Sequence, residues 1–73
     1  MSVHDMNYVV LTVTTRNGHH IAREVIEGHL SEVERRRSKR HVALFDEHGP
    51  DCYIFANWGG GEPSDSVRRG YGR

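Results

Sequence analysis

Seventy-three residues, 36% of them hydrophobic, with ten Lys+Arg against ten Asp+Glu, leave room for one small domain and exclude a deep cleft between two lobes. One cysteine, Cys52, excludes an internal disulfide, and the N-terminal MSVHDMNYVV has neither the basic region nor the long apolar stretch of a secretory signal, so a reducing cytosol is the expected setting. The longest apolar run, residues 8–11, is far short of the ~20 residues that span a bilayer, so a soluble, cytoplasmic protein with no membrane partner is expected.

The first element is NYVVLTVTT, residues 7–15. It is rich in β-branched residues and alternates, with Val9, Leu11 and Val13 on one face and Tyr8, Val10, Thr12 and Thr14 on the other. Asn17-Gly18 follows. This dipeptide suits a type I′ turn and predicts an antiparallel second strand over about residues 20–26. The segment HIAREVIEGHLSEVERR also carries helical spacing, through Ile21, Val25, Leu30 and Val33, so a long helix from about His20 stays open as the alternative. Gly28 in a helix interior costs ~1 kcal/mol against Ala. Ser31 followed by Glu34 has the spacing of a capping box. Strand, a loop at Gly28, then a helix from Glu32 to about Arg40 is therefore the preferred reading, with Val33 as the helix's apolar anchor.

VALFDEHGPDCYIFANW, residues 42–58, reads as a second hairpin. Its arms are residues 42–46 and 52–57, joined by the turn-forming His48-Gly49-Pro50-Asp51. In the second arm Cys52, Ile54 and Ala56 share one face, and Tyr53, Phe55 and Asn57 the other. The expected fold is α+β: a small antiparallel sheet of three or four strands with one helix packed on it. Residues 1–58 form that single domain. Residues 59–73, with five of the eight glycines, form a flexible Gly/Arg tail. Nothing covers the sheet edges in this arrangement, and an open edge recruits partner strands.

The charge is unevenly placed. Arg35, Arg36, Arg37, Lys39 and Arg40 put five of ten positive charges within six positions. On a helix they form a patch suited to phosphates or to an acidic protein surface, against the plainer reading of a solvated face in which Glu32 pairs with Arg36. Exposed strand residues such as Tyr8 and Val10 are the second set of partner-binding candidates, through β-pairing. In the tail, Arg68, Arg69, Tyr71 and Arg73 resemble a short arginine–glycine segment that contacts nucleic acid. The six histidines form neither HxxxH nor any set with paired cysteines, so no metal site is expected. Cys52 reads as a packed thiol, not a nucleophile. With no GxSxG, P-loop or HExxH pattern, no catalytic residue is assigned and no enzyme is expected.

Taken together, YVVLTVTTRNG, SEVERRRSKR, HVALFDEHGPDCYIFANW and the glycine-rich tail, at this length, resemble the small bacteriophage-encoded regulators of host RNA polymerase. The resemblance covers the whole chain and rests on no diagnostic motif. It implies a cytoplasmic, monomeric protein without a cofactor that binds the large subunits of bacterial RNA polymerase near the RNA exit channel. It implies interference with the σ factor at initiation and suppression of pausing and termination later, with nucleic acid close by. Two other classes remain: a phage inhibitor of another host system, such as a CRISPR complex, and a free-standing nucleic-acid-binding module.

Overall fold

The computed structural model describes residues 6–69, in the order β1 (Met6–Thr15), β2 (His20–His29), α1 (Leu30–His48), β3 (Cys52–Gly60) and α2 (Asp65–Arg69). The fold is α+β. Three antiparallel strands lie in the order β2-β1-β3, and α1 packs on one face. The alternation of β1 sorts its residues between the two faces. Val9, Leu11 and Val13 point toward α1 and are fully buried with Ile26, Val33 and Leu44, while Ala22, Cys52 and Ile54 pack at the margin. Each such Val or Leu side chain contributes roughly 1.5–3 kcal/mol through burial. Val33 is the anchor its apolar character predicts, at 0% exposure.

The β1–β2 hairpin forms where Asn17-Gly18 places it, but with a different turn. Gly18 N–H donates to the Thr15 carbonyl at 3.0 Å, and Thr15 N–H donates to the His19 carbonyl at 2.9 Å. The closing pair therefore encloses three residues, with Gly18 at φ 88 in the left-handed region open to glycine. The extra length is absorbed as a bulge: Val13 pairs Ala22 but Thr14 pairs His20, leaving Ile21 unmatched. β2 then runs past residue 26 to His29, so the strand reading holds over the helix alternative for this segment.

The expected strand over residues 42–46 is instead the C-terminal part of α1, which continues to His48 and ends where Gly49 N–H donates to the Phe45 carbonyl at 2.8 Å. Leu44 lies three turns beyond Val33, so the two buried residues fall on one side of the helix. That alignment holds residues 42–46 in the helix. The fourth-strand option goes with it, and the sheet has three strands. Ser31 lies inside the first turn and is not the cap, since α1 starts at Leu30 with His29 as N-cap and no side-chain cap bond. The stretch from Gly59, expected as tail, begins as the end of β3 and carries α2. Arg23 reaches from β2 to the carbonyls of Val67 and Arg68. Tyr71 and Arg73 lie outside the described residues.

Candidate interaction surface

The basic run divides on the helix. Arg35 donates to both carboxylate oxygens of Glu32, at 2.7 and 2.8 Å, three residues away instead of the four expected for an Arg36 pair. That hydrogen bond, and then the guanidinium charge, hold the Glu32 carboxyl below its ordinary range. Arg40 crosses to β2. Its Nε donates to Glu24 at 2.9 Å, its Nη2 meets the second oxygen, and this hydrogen bond and charge raise the guanidinium's already high pKa. Arg37 is half-buried and donates to Ser38. Arg36 and Lys39 remain exposed. Arg36 lies one turn before Arg40, so it sits on the flank toward β2. The five cations are therefore not one patch.

The other predicted contacts also disperse. Val10 is 1% exposed and Tyr8 is half-buried. Both lie on β1, whose two sides are already paired, so neither can take a partner strand. Tyr8 instead serves the fold locally, with its ring over Gly59, where any Cβ would overlap it. Arg68 is tied to Glu27 through two contacts of 2.8 and 2.9 Å, while Arg69 is exposed. Cys52 donates its thiol to the His48 carbonyl at 3.4 Å and is half-buried. Among the described residues no three His, Cys, Asp or Glu side chains gather as metal ligands, and no helix is long and apolar enough to cross a membrane.

What the structure does gather is on β3. CYIFANWGG carries no charge and holds three of the chain's six aromatic residues. The Gly61 N–H donates to the Met6 carbonyl at 2.8 Å, which fixes the phase of the β1–β3 ladder. Tyr53, Phe55, Asn57 and Gly59 then direct their amides to β1, and Ile54, Ala56 and Trp58 direct theirs outward. No strand lies beyond them among the described residues. On the helix side Trp58 is 45% exposed, and on α1 Phe45 is 46% exposed while Val42, at 61%, lies on the side of the helix away from the buried Val33 and Leu44. On the opposite face Tyr53 and Phe55 are each 50% exposed. The sequence signal was the alternation within residues 52–57. It did not say which face the helix would cover or which strand would end the sheet.

No family model matches the chain, nor does any curated protein or solved structure match it significantly.

Proposed function

We propose that the protein is a non-enzymatic binding module that takes up an extended segment of a partner protein as a fourth strand beside β3. The observation that carries this reading is the uncharged outward edge of β3, with apolar side chains on both faces of it. Main-chain hydrogen bonds to such an edge supply affinity, and pockets for alternate side chains supply selectivity. Trp58 and Phe45 would receive the partner's side chains on one face, Tyr53 and Phe55 on the other.

The whole-chain resemblance gives the partner. It is the large subunits of bacterial RNA polymerase in a host cytoplasm, with σ-factor interference at initiation and antitermination later. Arg36 and Lys39 are the members of the basic run left to meet an acidic surface. Arg35, Arg37 and Arg40 act through the fold.

The test is affinity capture from nuclease-treated bacterial extract, with bound proteins identified by mass spectrometry. Recovery of the β, β′ and α subunits with σ depleted is expected, and Ala56→Pro should abolish it. Ala56 N–H points outward, so this proline blocks the edge without removing a bond to β1. Capture that survives Ala56→Pro retires the edge. Absence of polymerase subunits retires the partner. Self-association of the wild type that the same proline abolishes would assign the edge to a second copy.

A further inference from the structure

The face of the sheet away from α1 is only partly covered. Residues 61–69 fold over one end, where Arg68 meets Glu27 and Pro63 is buried. The other end, near the Arg16–Gly18 turn, is an open groove of about 540 Å³. Its floor is the hydroxyl pair Thr12 and Thr14, each 6% exposed. Register sets the walls: Phe55 pairs Thr12 and Tyr53 pairs Thr14 from β3, while His20 pairs Thr14 from β2.

We propose that this groove binds single-stranded nucleic acid, with successive bases stacked on Tyr53 and Phe55. Alternate positions on a strand place the two rings on the same face, with centroids 6.2 Å apart and planes inclined at 61°. The rings meet edge to face and each residue is 50% exposed, so bases would stack on the ring faces turned away from that contact, at a spacing that an extended strand covers in one nucleotide step. Every base has a π-face, so such a platform is tolerant of sequence, and duplexes are excluded because their base faces are already stacked. The exposed Asn57 amide also lines the groove and can donate to or accept from a base edge.

The charge at the rim agrees. Arg16 and His20 line the groove, and no carboxylate does among the described residues. Arg16 also pairs with Asp51 at 3.9 Å, but both side chains are mostly exposed and a phosphate can separate them. This site shares Tyr53 and Phe55 with the β3 edge but uses different groups for its main contacts. Bases would use ring faces that stand off the sheet, whereas a partner strand would use outward backbone groups of Ile54, Ala56 and Trp58.

The experiment is fluorescence anisotropy with labelled oligouridine and oligothymidine, and with a matched duplex, across a salt series. Single strands should bind and the duplex should not. Tyr53→Ser and Phe55→Ser should each weaken binding by on the order of tenfold, while Phe55→Tyr should restore it. One or two phosphate contacts give a shallow dependence of log K on log salt, a slope of roughly −0.7 to −1.4, and Arg16→Ala should flatten it by about 0.7. Amide shift mapping on the wild type, which needs no variant to fold, should confine the changes to the Thr12–Thr15, Arg16–His20 and Tyr53–Asn57 neighbourhoods. Absence of binding at low salt overturns the proposal. So does binding indifferent to Tyr53 and Phe55, and so does a steep slope removed by Arg36→Glu with Lys39→Glu, which would place phosphates on α1. Ala56→Pro should leave oligonucleotide binding intact, so failure here and failure of the edge reading are told apart.

Discussion

The two edges of this sheet are built oppositely. β2 carries Arg23, Glu24 and Glu27, and all three are engaged: Glu24 with Arg40 of α1, Glu27 with Arg68, and Arg23 with carbonyls of the C-terminal segment. Charged side chains and a covering segment are the ordinary ways to stop an edge from pairing with another chain. β3 has neither. It holds nine residues without a charge, and half-exposed aromatic rings flank its free amides. The contrast is what assigns the proposed partner strand to the bare edge and not to the guarded one. The difference also explains why the basic run is a poor guide to function: part of it serves the guarded side.

The largest expected effect comes from moving a proline by one residue. Phe55 sends its N–H to β1, so Phe55→Pro removes a ladder bond beneath a central strand. A domain of this size has roughly 0.05–0.15 kcal/mol of stability per residue and should lose its cooperative melt. Ala56→Pro should keep its melt, because that N–H faces outward, while losing the partner. Thermal circular dichroism of the two variants side by side reads the phase of the ladder directly. A reversed order, with Phe55→Pro keeping its melt and Ala56→Pro losing it, would mean that the edge assignment is off by one residue.

Next in size is Gly59→Ala. The added methyl overlaps the Tyr8 ring, which must leave its place over the strand, at a cost of about 1 kcal/mol or more. In a Tyr8→Ala background the sign should reverse, since Gly within a strand is less favourable than Ala by roughly 0.5–1 kcal/mol. A double-mutant cycle by urea unfolding measures this coupling. Additive changes would show that Tyr8 does not cover β3.

Much of this architecture was legible beforehand. The alternation of residues 7–15 marked a strand and its two faces, and the strand-then-helix order after Asn17-Gly18 was read correctly. The loop expected at Gly28 is absent, since Gly28 pairs Asn7 within β2 and α1 starts directly at Leu30. The end of α1 was not legible. Between Val33 and Leu44 the sheet-facing side of the helix is filled by Arg37, Arg40 and His41, all half-buried. The apolar period that would have announced a long helix is therefore interrupted. The apolar Val42 and Phe45, which suggested a strand, are exposed. The groove was hidden for another reason. Tyr53 and Phe55 could be placed on one face from sequence, but the covered face is chosen by the path of α1, which is a tertiary fact.

A smaller effect tests the guarded side. Glu27→Ala frees Arg68 and loosens residues 61–69 from β2 at a cost of about 0–1 kcal/mol, since the pair is partly exposed. Stability should barely change, while trypsin cleavage at Arg68 or Arg69 and amide exchange in α2 should accelerate. If β2 depends on this cover to stay unpaired, the variant should also self-associate as concentration rises. Size-exclusion chromatography would show it. An unaltered elution volume would leave Arg23 and Glu24 as sufficient guards.

The smallest effect belongs to the exposed pair on α1. The Arg35 hydrogen bond depresses the Glu32 carboxyl, so the folded protein holds that proton less tightly than the unfolded chain does. The resulting stabilisation is fully present above the ordinary carboxylate pKa and is lost as pH falls through the lowered folded value. Glu32→Gln should therefore melt slightly below the wild type at neutral pH, and the two curves should converge in acid. Raised salt should narrow the neutral-pH gap, because both side chains face water. A gap that persists in acid would show that Glu32 acts through its position near the helix N-terminus or through packing, and not through its charge on Arg35.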